Sequence, residues 1–187
     1  MSIFMRHMFT VQYCEYRVAD LILEPSMKTL LLMRHAKSSW KNLTVEDHDR
    51  PLNKRGNREA LQAGEFLRAS DLVPDSIVSS SSLRAQSTAS LVVENCGRQV
   101  FVSIDPRIYL ADQGTLITVI QACSSVAQRL LIIGHNPGLE QLVEKLTGEY
   151  RELPTTALAH ISLPISDWDE LKHFTEGTLV GLWHPKK

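Results

Sequence analysis

Short apolar runs alternate with amphipathic segments along most of this chain. Residues 29–33 and 129–133 are almost entirely apolar and stop at charged or polar residues, which is typical of strands buried on both faces of a sheet. Further short strands are predicted at residues 76–78, 100–104, 157–163 and 178–183. Helical spacing of apolar residues predicts helices at residues 55–69, 83–95, 115–122 and 139–146. This order predicts the α/β class, as a three-layer α/β/α sandwich around a mainly parallel central sheet.

The first 26 residues do not share this pattern. They show no sustained period, and the charged residues Glu15, Arg17 and Asp20 would interrupt the apolar core of a secretory signal. We interpret residues 1–26 as an N-terminal extension, with the natural start at Met27, and residues 27–187 as one domain of ordinary size. An ordered first helix docked at an interface is the competing interpretation.

The overall charge and the use of cysteine narrow the classes of function. The chain carries 20 Lys and Arg against 21 Asp and Glu, a formal net charge of -1, which argues against a nucleic-acid partner. No apolar run approaches the roughly 18–20 residues of a membrane span, so we expect no membrane partner. The three cysteines are widely spaced and form no CxxC pair, which indicates a reducing compartment and a cytoplasmic location.

The residues best suited to chemistry directly follow three of the predicted strands. Arg34 and His35 follow the first strand, Arg84 follows the second, and His135 follows the fourth. Taken singly, each has an ordinary structural interpretation as a solvated or turn residue. Ligands of parallel sheets bind beyond the carboxyl ends of the strands, so we expect these four side chains to surround one pocket. Two guanidinium groups and two imidazoles favour a site for a tetrahedral dianion.

Phosphoryl transfer is the chemistry that such a pocket favours. A neutral imidazole is nucleophilic near pH 7, and arginine forks can span pairs of phosphate oxygens. Asn136 is the predicted N-cap of the helix at 139–146, with Pro137 at its first position, so the positive end of that helix would face the same anion. The sequence contains no metal-binding motif, and we therefore expect neither a metal nor a cofactor.

Several motifs, in this order, resemble those of the histidine phosphatase superfamily and its SixA-type branch of phosphohistidine phosphatases. They are the run from Leu30 to Trp40 around Arg34-His35-Ala36, Asp49-Arg50-Pro51-Leu52 with Arg55-Gly56, the stretch from Ser80 to Ala89, and Gly134-His135-Asn136-Pro137. The resemblance extends from about Met27 to the C-terminus and implies a phosphoglycerate mutase-like fold. The short connections between the motifs leave little room for a cap domain.

The resemblance also implies roles for individual residues of this sequence. His35 would be the nucleophile that becomes phosphorylated, and Arg34 and Arg84 would clamp the phosphoryl oxygens. His135 would hydrogen-bond the transferred group. Ser38 matches a position that lines the pocket in relatives, and Asn136 is adjacent to it, so both are candidates for phosphate binding.

The general acid is where the chain departs from the superfamily pattern. Arg107 stands where related chains often carry an acidic residue. Asp49, Asp105 and Asp112 are the possible proton donors, but each also has a structural interpretation: loop anchoring, turn formation and helix capping, respectively. Because an imidazole leaving group can be protonated beforehand, a site without a firm acid suits phosphoramidates better than alkyl phosphates.

These observations predict a metal-independent phosphatase that works through a phosphohistidine enzyme intermediate. The resemblance favours a protein phosphohistidine phosphatase whose partner is a phosphorylated protein carrying a histidine phosphotransfer domain. The alternatives are a phosphatase of small phosphomonoesters, a phosphotransferase or mutase, and a non-catalytic phosphate-binding module.

Overall fold

The structure, a computed structural model, describes residues 27–186, so the predicted extension at residues 1–26 lies outside the described residues. Within that range, six strands and four α-helices follow the predicted alternation. The strands are β1 (Lys28–Arg34), β2 (Ser76–Ser80), β3 (Phe101–Asp105), β4 (Arg129–Gly134), β5 (Leu158–Leu163) and β6 (Thr178–Trp183). The helices are α1 (Lys54–Ala69), α2 (Leu83–Asn95), α3 (Gln113–Gln121) and α4 (Gly138–Thr147).

The six strands form one sheet in the order β3-β2-β4-β1-β5-β6. β1, β2, β3 and β4 pair in parallel, whereas β5 and β6 are antiparallel additions at one side. The prediction of a mainly parallel sheet is therefore confirmed. β1 and β4 lie side by side at its centre, so the residues that follow them emerge next to each other.

Alternate side chains of the central strands pack on opposite faces of the sheet. Leu31 and Met33 join a core with apolar residues of α1 and α2, whereas Leu30 and Leu32 join a second core with α3 and α4. All four side chains are fully buried. Burying a side chain of this size contributes about 1.5–3 kcal/mol, which explains why the run is apolar throughout. The two cores confirm the predicted three-layer α/β/α sandwich.

The first residues of the helices differ in how well the local sequence predicts them. α2 has the predicted bounds, and α1 begins after Asn53, whose side chain accepts a hydrogen bond from the Gly56 amide at 2.8 Å. The predicted start of α4 is wrong: Pro137 is the N-cap and the helix begins at Gly138. Asn136 does not cap it, because its Oδ1 accepts no hydrogen bond from the described residues, while its amide nitrogen donates to Glu140 Oε1 and to the Leu153 carbonyl.

Close packing holds the segment after β1 against α1. A Cβ atom at Gly56 would collide with the carbonyl of Lys37, so only glycine allows this approach. The Ser39 amide also donates to the Pro51 carbonyl at 2.8 Å, which joins the two ends of the loop.

The connections within residues 27–186 are short and add no cap domain above the carboxyl edge of the sheet. None of the helices in this range has the length and apolar content needed to cross a bilayer.

Candidate active site

The four residues predicted to meet at the carboxyl edge line a single cavity of about 270 Å³. Arg34 ends β1 and His35 follows it, while His135 follows β4 in the neighbouring position of the parallel pair. The two imidazole ring centroids are 5.0 Å apart. Arg84 enters from the first turn of α2. The predicted convergence of these groups is confirmed.

The hydrogen bonds of His35 fix which of its ring nitrogens carries the lone pair. Its Nδ1 lies 2.8 Å from the Ala36 carbonyl, which can only accept a hydrogen bond, so Nδ1 carries the proton. The lone pair is therefore on Nε2, where Arg84 Nε donates at 3.1 Å. Burial, with help from the charges of Arg84 and Arg34 and against the effect of the Ala36 bond, lowers the pKa of His35 to about 4. At neutral pH the ring is uncharged.

His135 is held against the floor of the cavity. Its Nε2 lies 2.8 Å from the Ser80 hydroxyl, and its ring meets that of Tyr109 edge to face at 5.4 Å. Burial and the neighbouring His35 and Arg84 lower the pKa of His135 to about 3. Both imidazoles are therefore neutral near pH 7.

The two predicted arginines are held in different ways. Arg84 is almost fully buried and is anchored by His35 through Nε, by the Asp47 carbonyl through Nη1, and by the Asp47 carboxylate through Nη2 at 2.9 Å. Arg34 donates to the Leu153 carbonyl at 3.0 Å, and its buried Nε has no partner among the described residues. Burial lowers the pKa of Arg34, partly offset by Glu140, but a guanidinium stays charged at neutral pH.

A third arginine and a carboxylate at the cavity had no role assigned from the sequence. Arg50 Nη2 donates to Ser38 Oγ at 3.0 Å, its Nη1 lies 3.3 Å from Asp47 Oδ1, and its guanidinium stacks on the Trp40 ring at 3.5 Å. Arg50 belongs to the Asp49-Arg50-Pro51-Leu52 motif, so its position in that motif was the available signal. Asp47 had no comparable signal, because it is placed by a short 3-10 helix at Asp47–Asp49.

Comparisons with known proteins agree with this geometry. Residues 30–111 match the family model of the histidine phosphatase superfamily, branch 1. An uncharacterised chloroplastic protein of Arabidopsis thaliana is 30% identical over 165 residues, which are 82% of this chain and 76% of that protein. The chain belongs to the histidine phosphatase superfamily.

The structural comparison confirms the fold of this histidine phosphatase. A proposed phosphohistidine phosphatase SixA from Nakamurella multipartitia superposes with a TM-score of 0.76 at 26% identity, covering 85% of this chain and 96% of that one. A 2,3-bisphosphoglycerate-dependent phosphoglycerate mutase of Streptomyces avermitilis is 41% identical over 71 residues, but these cover only 37% of this chain and 28% of the mutase. The phosphoglycerate mutase-like fold predicted from the motifs is therefore present.

The two residues predicted to assist phosphate binding both line the cavity of this histidine phosphatase. The Ser38 hydroxyl accepts from Arg50, so it orients that guanidinium. Asn136 differs from expectation, because its amide nitrogen already donates to Glu140 and Leu153, while its buried Oδ1 has no partner among the described residues.

The start of α4 also contributes fewer donors than predicted: Pro137 has no N–H, and the Leu139 amide donates to the His135 carbonyl at 3.1 Å.

The three carboxylates considered as proton donors do not line the cavity. Asp49 pairs with His48 at 2.9 Å, Asp105 caps the turn at Pro106 and pairs with Arg107 at 2.7 Å, and Asp112 caps α3. Hydrogen bonds to Arg107 hold the pKa of Asp105 below its ordinary value. Each carboxylate therefore has the structural use that was its alternative interpretation.

The cavity has a positive lining. Among the described residues that border it, four cationic side chains face one carboxylate, Asp47. The cations are Arg34, Lys37, Arg50 and Arg84. Residues 27–186 hold no group of three or more His, Cys, Asp or Glu side chains placed to bind a metal ion. A small, positively lined cavity with a neutral imidazole fits a phosphoryl dianion.

Proposed function

We propose that this histidine phosphatase removes phosphoryl groups from phosphohistidine in proteins, with His35 as the nucleophile. The observation that carries the proposal is the state of His35: Nδ1 donates to the Ala36 carbonyl, so Nε2 is unprotonated, and it accepts from Arg84 Nε at a cavity lined by guanidinium groups. The low pKa of His35 keeps the Nε2 lone pair available at neutral pH.

The reaction proceeds in two displacements at phosphorus. His35 Nε2 attacks in line and forms an N–P bond, while the bond from phosphorus to the leaving nitrogen breaks and its electron pair goes to the substrate imidazole. A water molecule then attacks the phosphorus, the N–P bond breaks, and its electron pair returns to His35 Nε2. One water is consumed, and free imidazole and inorganic phosphate are released.

The arginines stabilise the charge that both steps share. Arg84 Nε donates to the nucleophilic nitrogen, and this donor is released to a phosphoryl oxygen when the N–P bond forms. Arg34 has an unpartnered Nε within the described residues and lines the same cavity. His135, 5.0 Å away between ring centroids, is placed to hydrogen-bond an equatorial oxygen. Such pre-oriented donors stabilise a phosphoryl transition state without reorganisation.

The lack of a protonated carboxyl group at the cavity, among residues 27–186, supports the choice of phosphohistidine. Of the described residues lining the cavity, only Asp47 carries a carboxyl group, and hydrogen bonds hold its pKa below the ordinary value, so it is ionised. His135 is neutral as well. An alkoxide leaving group needs a proton from the enzyme, whereas an imidazole can be protonated before it leaves.

The mouth of the cavity supports a protein substrate. Trp40 and Leu110 border it, and both side chains are largely exposed. Large apolar side chains exposed beside a polar cavity are typical of surfaces that contact another protein. We propose a histidine phosphotransfer domain as that partner and a cytoplasmic location for the reaction.

The decisive experiment compares substrates on one enzyme preparation. Initial rates are measured on a phosphorylated histidine phosphotransfer domain and on a panel of small phosphomonoesters at matched concentrations. We expect a higher kcat/KM on the phosphorylated domain, because neither a protonated carboxyl group nor a protonated imidazole lines the cavity among the described residues. Faster hydrolysis of the small esters would reject the proposed substrate class and favour the small-molecule alternative.

The role of His35 is tested in the same assay. His35→Ala should lower turnover by at least about 10⁴-fold, since the covalent step is lost. His173→Ala is the matched control, because His173 is exposed and does not line this cavity, and it should retain full activity. Label from a phosphorylated substrate should be trapped on wild-type enzyme in acid-labile form and not on His35→Ala. A His35→Ala enzyme with near-normal turnover would exclude His35 as the nucleophile.

A further inference from the structure

Asp47 makes contacts that are unexpected for an anion at the edge of a phosphate site. Its Oδ2 accepts hydrogen bonds from Arg84 Nη2 at 2.9 Å and from the Tyr109 hydroxyl at 2.8 Å. Its Oδ1 lies 3.3 Å from Arg50 Nη1. One carboxylate therefore binds two of the three arginines that line the cavity.

A phosphoryl group would use the same donors. Carboxylate and phosphate oxygens both engage guanidinium groups through charge-assisted N–H···O bonds, and two anions held close together repel each other. All three guanidinium nitrogens of Arg84 already have partners: His35 on Nε, the Asp47 carbonyl on Nη1 and the Asp47 carboxylate on Nη2. An N–P bond at His35 Nε2 uses the lone pair that accepts from Arg84 Nε, so Nε becomes available to a phosphoryl oxygen. Nη1 and Nη2 remain bonded to Asp47, so the phosphoryl group shares the Arg84 guanidinium with that residue.

Asp47 is charged and able to move. Burial acts to raise its pKa, but the hydrogen bonds from Tyr109 and Arg84 outweigh this and hold the pKa below its ordinary value. Its side chain is 48% exposed, whereas that of Arg84 is 3% exposed. The carboxylate can therefore turn toward water without disturbing the core, while the arginine is held in place.

We propose that Asp47 is a built-in competitor of the phosphoryl group, which orients Arg84 and Arg50 and limits the affinity of the pocket for phosphate. It is a positioning residue, because it acts through the two arginines. The proposal rests on the proposed function only in that the cavity binds a phosphoryl group. The expected consequence is rapid release of the product. When inorganic phosphate leaves, the Asp47 carboxylate again accepts hydrogen bonds from Arg84 and Arg50, and its negative charge opposes rebinding of phosphate.

Two substitutions of Asp47 distinguish the effect of its negative charge from its effect on the orientation of Arg84. Asp47→Asn removes the negative charge but keeps an oxygen that accepts from Arg84, whereas Asp47→Ala removes both. In either variant the backbone carbonyl of residue 47 still binds Arg84 Nη1, so the arginine keeps an anchor. Because the side chain is half exposed, both variants should fold like the wild type, which a thermal melt checks.

The test is calorimetric titration of the full chain with inorganic phosphate. We expect Asp47→Asn to bind phosphate about three- to tenfold more tightly than the wild type, the size typical of one partly exposed charge pair. Glu46→Gln is the matched control: it removes the same charge from the neighbouring position, but Glu46 is exposed and does not line the cavity. Its dissociation constant should stay within about twofold of the wild type.

Steady-state kinetics test the orienting role. Asp47→Asn should show stronger inhibition by phosphate and a smaller loss of kcat than Asp47→Ala, in which kcat should fall by about three- to tenfold because Arg84 and Arg50 lose their shared anchor. Equal kcat in the two variants would overturn the orienting role. Unchanged or weaker phosphate binding by Asp47→Asn would overturn the competitor role. Phosphate binding requires no turnover, so an error in the proposed substrate would leave the calorimetric result intact.

Discussion

The two ends of strand β1 each carry a cation, fully buried in Lys28 and half-buried in Arg34, and the two differ in their hydrogen bonds. Lys28, at the start of the strand, is fully buried and donates to the carbonyls of Ser125 and Ala127 at 2.6 and 3.0 Å. The indole of Trp168 donates to the same Ala127 carbonyl at 2.8 Å. At the other end, Arg34 keeps a buried Nε without a partner in the described part of the chain.

This difference in hydrogen bonding gives a criterion for distinguishing a cation with a structural role from one that binds a ligand. The ammonium of Lys28 meets fixed carbonyls on its own chain and closes a network around the amino end of the sheet. At the carboxyl end, Arg34 and Arg50 both have unpartnered Nε atoms among residues 27–186 and both line the cavity. Arg129, at the amino end of β4, also has an unpartnered Nε but does not line the cavity, so the two observations are needed together. Unsatisfied buried donors are costly, and they persist where a ligand supplies the acceptor.

The largest effect is expected at the carboxyl end. Arg84→Lys keeps the positive charge but loses the Nε donor to His35 and the planar fork, so kcat/KM should fall about 100-fold while the protein stays folded. Steady-state kinetics with a thermal melt measure both. Arg58→Lys, on the exposed face of α1, is the matched control and should change neither quantity. If Arg84→Lys kept the wild-type kcat/KM, the distinction between functional cations at the carboxyl end of the sheet and a structural cation at its amino end would be wrong.

The opposite outcome is expected at the amino end. Lys28→Met has similar volume but no donors, which leaves the Ser125 carbonyl without its partner, so the free energy of unfolding should fall by about 2 kcal/mol. The kcat of the folded fraction should not change, because Lys28 lies at the end of the strand remote from the cavity. Urea unfolding followed by active-site titration checks this. A loss of kcat without a loss of stability would contradict a purely structural role.

A smaller effect is expected from pH. The folded-state pKa values of His35 and His135 lie at about 4 and about 3, below the ordinary value of 6.5. The unfolded chain therefore takes up protons below pH 6.5 that the folded chain does not, and stability is lost as pH falls from 6.5 toward 4. Each ring should cost about 1 kcal/mol per pH unit in that window. Urea unfolding from pH 7 to 5 measures the slope.

The two rings can be separated by substitution. His35→Gln should flatten the dependence of the unfolding free energy on pH by about half, since His135 remains. Activity should persist well below pH 6.5, because a low pKa keeps the His35 lone pair available. An unchanged pH slope in His35→Gln would show that His35 titrates normally in the folded protein.

The central strands of the sheet could be predicted from sequence because a strand that is covered on both faces consists of apolar residues. Residues 30–33 are apolar since both faces of β1 are covered, and α2 was predicted with correct bounds because its apolar spacing is regular. β2 is longer than predicted: Ser79 and Ser80 continue the strand and are buried, but their polar side chains hide the pattern. Hydroxyls can be buried there because they find partners, such as the His135 ring beside Ser80.

The site was predictable only where its residues follow strands. His35 and His135 could be placed from chain topology alone, since β1 and β4 are parallel neighbours. Asp47 and Arg50 could not, because they lie in an aperiodic connection whose path depends on tertiary contacts. That connection is positioned by an isolated bridge between Ser38 and Leu52 and by the hydrogen bonds to Arg84. No local periodicity reports such contacts.

The stacking of Arg50 on Trp40 has an optical consequence. The chain contains three tryptophans, and of these Trp168 is fully buried and Trp183 stacks on Phe66. Trp40 is largely exposed, with a guanidinium 3.5 Å above its ring that also reaches into the cavity. Any anion that draws Arg50 inward changes the electric field over the indole and thus its emission. Tryptophan emission should therefore report occupancy of the cavity, so that binding can be followed without attaching a dye.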